Sequence, residues 1–275
     1  MKVSTQTQVF CETYGIEDGL IRLCDAGYDA LDLSLYNEQS MSSELFGSNW
    51  IGYAEKLRNL VEDRGLRFNQ AHAPMISHMD ERIKQAIRVA GVLGVDDIVV
   101  HPLFVKENNI EENIAFYDEL EPIAVEYGIK IAVENMFGWD DLKNVPKPAV
   151  LSVPKEFNAV VDRLSDHFVA CLDIGHAALT YCRPDLFIRE ITPGRLHALH
   201  IHDNDRRYDC HTMPYTGVFD WDLITQALAD IDYDGYLTLE SDNTLLQSPV
   251  CVYPDLAKVM CGTARHLAKL IEDKK

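Results

Sequence analysis

Six residues able to bind a metal ion close six successive apolar runs of this chain. They are His72 in FNQAHAP, His101 in DIVVHP, Glu134 in IKIAVEN, Asp173 in FVACLDIGH, His200 in RLHALHIHD and Glu240 in YLTLES. Each stands where a short buried strand should stop, and they recur at steps of about 30 residues, the size of one strand–helix unit. A parallel barrel collects the carboxyl ends of its strands on one face, so such residues would meet in one pocket. Glu134, Asp173, His200 and Glu240 would come from four neighbouring strands and supply a mixed oxygen and nitrogen donor set. That set suits Zn²⁺, Mn²⁺, Co²⁺ or Fe²⁺ better than Mg²⁺, which prefers oxygen and retained water. His72 and His101 could hold a second ion with Glu134 as a bridge, and His176, Asp209 and His211 form a third group. The expectation is therefore one to three divalent ions.

Each residue has a plainer reading as well. A histidine at a strand end is commonly a hydrogen-bonded structural group, and His78, His167, His197 and His266 are placed in that class. An acid after an apolar run also serves as a helix amino-terminal cap, which fits Asp173. The repetition over six strands argues for a metal site.

The elements that would position these residues follow from periodicity. Strand candidates KVSTQTQVF, YDALDLSLY, RFNQAHA, DDIVVH, IKIAVEN, HFVACLDI, RLHALHIHD and YLTLES alternate with helical stretches. The helices are placed around Gly19–Ala26, then Trp50–Arg64, Asp80–Leu93, Ile110–Tyr127, Lys155–Leu164, Asp185–Ile191, Trp221–Ala229 and Leu256–Asp273. Gly27, Gly65, Gly94, Gly128 and Gly235 sit where helix carboxyl-terminal caps belong. Eight alternating units predict an α/β fold, a (β/α)8 barrel with residues 1–275 as one domain. The segments Asn135–Pro154 and Asp203–Asp220 are long for such connections and are expected to wall the catalytic face. Phe137, Trp139, Tyr215 and Trp221 are candidates for the pocket lining, with core packing or loop anchoring as the alternative for each.

Net charge is −19, from 25 Lys plus Arg against 44 Asp plus Glu. Such a field opposes nucleic acid and anionic membranes at long range. Arg206–Arg207 is one of two adjacent basic pairs, the other being Lys274–Lys275, and it stands beside Asp203, Asp205 and Asp209. No apolar run approaches the ~20 residues of a membrane span. The seven cysteines form no CxxC pair, so a reduced, cytoplasmic protein is expected.

The motifs HAP, HP, VEN, LDIGHA, LHIHDND, DCH and LES, in this order, resemble those of the xylose isomerase-like TIM barrels. That superfamily includes sugar isomerases and epimerases, inosose dehydratases and endonuclease IV. The resemblance implies a single metal on Glu134, Asp173, His200 and Glu240 in the epimerase branch. In the endonuclease IV branch it implies three zinc ions on His72, His101, Glu134, Asp173, His176, His200, Asp209, His211 and Glu240. It further implies Arg206 facing a sugar, and a homo-oligomer as in many barrels of this branch. The acidic surface favours a small sugar or cyclitol partner over DNA. The expected chemistry is proton transfer beside a metal-chelated carbonyl, with Glu134 and Glu240 as the proton carriers and His176 and Arg206 binding substrate. Abasic-site cleavage, an inosose dehydratase-type lyase and a metal-retaining binding protein without turnover are the alternatives.

Overall fold

A computed structural model describes residues 1–105 and 109–275. Ten strands form among the described residues: β1 (Lys2–Gln6), β2 (Ala30–Ser34), β3 (Phe68–His72), β4 (Asp97–Val100), β5 (Lys130–Glu134), β6 (Phe137–Asp140), β7 (Val145–Pro148), β8 (Phe168–Asp173), β9 (Leu196–Ile201) and β10 (Tyr236–Leu239). Eight of them close a parallel barrel in the order β1-β10-β9-β8-β5-β4-β3-β2, and β6 and β7 pair apart from it. Twelve α-helices accompany them among the described residues: α1 (Gln8–Tyr14), α2 (Ile16–Cys24), α3 (Glu38–Met41), α4 (Trp50–Glu62), α5 (Glu81–Leu93), α6 (Asn109–Tyr127), α7 (Pro154–Val161), α8 (Ile174–Leu179), α9 (Pro184–Glu190), α10 (Trp221–Asp230), α11 (Asp242–Leu246) and α12 (Tyr253–Lys274). The predicted (β/α)8 barrel is the observed architecture. No helix among the described residues is long and apolar enough to cross a membrane.

The strands form because their Val, Ile, Leu and Ala side chains can be buried on both faces, as closure into a helix-covered barrel requires. Inside the barrel, Val99, Ala132, Val169, Cys171 and Ala198 make a small apolar cluster of their own. The other half of the interior is polar. Ser4 Oγ donates to Asn69 Oδ1 at 2.6 Å, and Gln70 Nε2 donates to Asp32 Oδ2 at 3.3 Å. The large core lies between barrel and helices, with Leu31, Ile98, Val133 and Leu239 fully buried against helical residues such as Leu57, Ile87 and Leu228.

Three local expectations differ from the fold. The opening run stops being a strand at Gln6, and Gln8–Tyr14 is helical. The reason is α2, whose Gly19 lets the two helices touch: a Cβ there would sit 2.7 Å from the Phe10 backbone. The segment after β5 contains the β6–β7 hairpin, its turn tied by Asp140 Oδ1 accepting from the amides of Leu142 and Lys143. Pro146 and Pro148 hid it, because proline is tolerated only on edge strands, and a two-stranded ribbon consists of edges. The carboxyl-terminal caps at Gly27, Gly65, Gly94 and Gly128 have the left-handed φ expected. At the end of α10 it is Asp232 that has positive φ, whereas Gly235 lies where a Cβ would collide with Tyr233 and the His197 carbonyl.

Candidate metal centre at the barrel mouth

Parallel strands deliver their last inward side chains to one end, and the nine predicted ligands meet there. Among the described residues four groups form, within each of which one donor atom per residue lies within 4.8 Å of the others: His72, His101 and Glu134; Glu134, Asp173, His200 and Glu240; His176, Asp209 and His211; and, overlapping the first two and adding a residue outside the nine, Asp32, His72, His200 and Glu240. Glu134 belongs to the first two. Its Oε2 lies 2.9 Å from His101 Nε2 and its Oε1 lies 3.1 Å from His200 Nδ1. Glu240 Oε2 is 3.6 Å from that same nitrogen. In the third group, Asp209 Oδ2 lies 2.9 Å from His211 Nε2 and 3.5 Å from His176 Nε2. His72, His101, Glu134, His176, Asp209, His211 and Glu240 line a cavity of about 310 Å³; Asp173 and His200 are fully buried beneath it.

Asp173 fulfils both of its readings. As the cap of α8 its Oδ1 accepts the His176 amide at 2.7 Å, while its backbone N–H donates to Asn135 Oδ1 at the same distance. The carboxylate is therefore fixed by a helix end before any ligand arrives.

Several residues in contact with these groups were not legible in the sequence. Asp32 Oδ2 lies 3.0 Å from His72 Nδ1, and Gln70 Nε2 lies 2.6 Å from His200 Nε2, so each imidazole is gripped on the side away from the cavity. Gln6 Nε2 donates to Glu240 Oε1 at 3.0 Å. His202 is fully buried with Nε2 3.1 Å from both Asp173 oxygens. The one available signal for it was the His200-x-His202 spacing, since residues two apart on a strand share a face. Asp242 lines the cavity, and burial pushes its carboxyl up to about 7 despite the opposing pull of His211.

The electrostatics fit a cation. Asp32, Glu134, Asp173, Asp209 and Glu240 crowd one end of the barrel, and among the described residues their only ion-pair partners are histidines. Burial works to raise the Glu134 carboxyl, but the imidazoles of His200 and His101 overcome it and hold the group well below its usual range. Asp173 is lowered to about 2, burial being outweighed by His176 and His202. Conversely, burial would lower the His200 imidazole, yet the surrounding Cys171, Glu240 and Glu134 raise it well above 6.5; His211 rises to about 10 because Asp209 overrides burial. Asp32 Oδ1 and Asp209 Oδ1 are buried without any hydrogen-bond donor. Buried carboxylates in excess, unmet oxygens and imidazoles among them are the donor set a divalent transition metal accepts.

The substrate-facing expectations divide. His176 lines the cavity, with Phe137 beside it at 5.1 Å between ring centroids. Arg206 is exposed, at φ 61, its amide donating to Asn204 Oδ1, and it does not line the cavity. Trp139 stacks on Tyr208 instead of entering the cavity. Trp221 is an anchor: its Nε1 donates to buried Asp203, which also accepts the amides of Tyr215 and Phe219 and so ties the loop after β9. Tyr215 lies half exposed beside Trp221. His197 pairs with Asp97 at 2.9 Å, far from the metal groups in the fold, as expected of a structural histidine.

A family model described as xylose isomerase-like TIM barrel matches residues 21–261. An uncharacterized protein of Sinorhizobium fredii is 28% identical over 269 residues, covering 82% of this chain and 81% of that one. A D-tagatose 3-epimerase-like protein superposes with a TM-score of 0.78 at 22% identity, covering 100% of this chain and 99% of that chain. A D-allulose 3-epimerase of Methylomonas sp., in complex with D-allulose, superposes with a TM-score of 0.70 at 18% identity, covering 98% and 96%. At these identities the two structures establish the shared fold.

Proposed function

The chain belongs to the xylose isomerase-like TIM-barrel family, and from that premise we propose that it is a metal-dependent isomerase or epimerase of a small sugar or cyclitol. One observation carries the reading: a carboxylate oxygen of Glu134 and one of Glu240 lie 3.1 and 3.6 Å from the same nitrogen, His200 Nδ1, and both residues line one small cavity. Its volume lies at the small-molecule end of ligand pockets. The sugar epimerases of similar fold support the substrate class.

Glu134, Asp173, His200 and Glu240 would hold one divalent ion, with the His72/His101 and His176/Asp209/His211 groups able to hold a second and a third. Bound there, such an ion supplies Lewis-acid polarisation of a carbonyl and its neighbouring hydroxyl. The protein's own residues do the rest. One of Glu134 and Glu240 removes the proton on the carbon beside the carbonyl, and the other returns a proton from the opposite side, which inverts that centre. Return to the neighbouring carbon gives isomerisation. Gln6 aims Glu240 through its 3.0 Å hydrogen bond, and Asp32 and Gln70 hold His72 and His200 in place. His176 is placed to bind a substrate hydroxyl, and Phe137 covers that side of the cavity from water.

A second reading, three-metal phosphodiester cleavage at abasic DNA, is favoured by the grouping of all nine candidate ligands into three clusters. The net charge of −19 opposes it, because phosphate contacts supply most non-specific DNA affinity. Assay of the metal-loaded protein against a panel of ketoses and inososes, beside an abasic duplex, decides between them. Turnover of a sugar without nicking supports the isomerase reading; nicking without sugar turnover overturns it.

A further inference from the structure

We propose that His202 is a positioning residue that joins two of the candidate metal groups, orienting Asp173 in the Glu134/Asp173/His200/Glu240 group and His211 in the His176/Asp209/His211 group. The role in metal binding rests on the functional reading above; the contacts themselves do not. His202 is fully buried, with Nε2 3.1 Å from each oxygen of Asp173. A single N–H shared between two carboxylate oxygens fixes the plane of that carboxylate, and the α8 amide of His176 holds the same group through Oδ1 at 2.7 Å. The His202 ring also lies flat on His211, with centroids 4.1 Å apart and planes 6° from parallel, and its Nε2 is 3.9 Å from Asp209 Oδ1. His211 in turn has Nδ1 2.9 Å from the Glu240 backbone oxygen. One ring thus touches the ligand sets of both groups.

The chain is shaped around this ring. Gly175 is the second residue of α8, and a Cβ there would overlap His202 itself, so glycine gives the imidazole its seat. Asn204 Nδ2 donates to the Gly175 carbonyl at 3.2 Å and closes the seat from the β9 side. His202 Nδ1 is buried without a hydrogen-bond partner. The proton therefore belongs on Nε2, where Asp173 accepts it. A ring that merely filled space would need neither the aimed nitrogen nor the parallel stack.

Two replacements separate these functions. His202→Phe keeps a flat ring against His211 and loses the N–H to Asp173. His202→Gln can keep an N–H donor and loses the stack. Co²⁺ affinity is read by chelator competition from the visible absorption of the full-length protein, a measurement independent of turnover. Removing a group that orients a ligand typically weakens a metal site ~10–100-fold. We expect a loss of that size for the Glu134/Asp173/His200/Glu240 group in the Phe variant and a smaller loss in the Gln variant. Wild-type affinity in a folded His202→Phe protein would overturn the proposal. Absence of Co²⁺ binding by the wild type would sink the functional reading, and the His202 assignment is then decided by ring ¹⁵N NMR of the metal-free protein. A proton on Nε2, with the His211 ring signals moved in His202→Gln, supports it; a neutral ring protonated on Nδ1 overturns it.

Discussion

Asp32 Oδ2 lies 3.0 Å from His72 Nδ1, and both side chains are buried. The contact leaves His72 Nε2 directed towards Glu240 Oε1, 3.4 Å away. Burial would lower the His72 imidazole, but Asp32 and then Glu240 outweigh it and raise it. Asp32→Ala would strip this orientation and leave a buried imidazole without its partner. Metal affinity of the His72/His101/Glu134 group should fall ~10–100-fold, with folding stability reduced by about 3 kcal/mol or more. Asp32→Asn can still accept the Nδ1 proton and should recover much of the affinity. Metal titration and denaturant unfolding of both variants check this.

Chelation should lower thermal stability. Four buried carboxylates and the half-buried Asp209 have only histidines as ion-pair partners among the described residues, so a cation bound to the folded chain alone stabilises it. At 100-fold excess over Kd the gain is about 2.7 kcal/mol, which for a chain of this size means a melting midpoint higher by roughly 5–10 °C. Calorimetry with and without a chelator measures it.

The metal-free protein should be most stable between mildly acidic and neutral pH. His211 is raised from 6.5 to about 10, so its contribution is complete below about pH 6.5 and is lost as pH rises through 10. Asp173 is lowered from 3.8 to about 2, so its contribution is present above pH 3.8 and is lost as pH falls through 2. The same imidazole protons must leave when a metal binds. Calorimetric titration at pH 7 in buffers of different ionisation enthalpy should report net proton release; none would contradict this electrostatic account.

How much of this site could be read in advance follows from where each residue stands. The nine candidate ligands were legible because each ends an apolar run or sits in a short motif beside one, and parallel closure must bring such ends together. Asp32 was not, because in YDALDLSLY it reads as one polar position of an alternating strand; only the partner across β3 gives it meaning. Gln70 and His202 were hidden for the same reason, their roles lying in contacts 130 and 29 residues away. The expected lining aromatics Trp139 and Trp221 are held by loop contacts to Tyr208 and Asp203, which periodicity does not encode.

Arg206 offers a sharp test of the substrate-binding expectation. It is exposed and outside the cavity lining, so in this loop conformation Arg206→Ala should change KM by less than about 3-fold, the range of a surface change away from the reacting groups. Loss of His176, which lines the cavity, should raise KM far more. A tenfold or larger KM effect at Arg206 would mean that the loop after β9 brings it onto the substrate during turnover.

Transfer of solvent hydrogen into substrate tests the central claim most directly. The metal-loaded protein is incubated with a panel of ketoses and inososes in deuterated water, and deuterium on carbon is read by NMR. Incorporation is expected at the carbon beside the carbonyl, reduced at least ~10²-fold in Glu134→Gln and in Glu240→Gln while the fold is kept. No incorporation into any member of the panel, together with nicking of abasic duplex DNA, would contradict the claim.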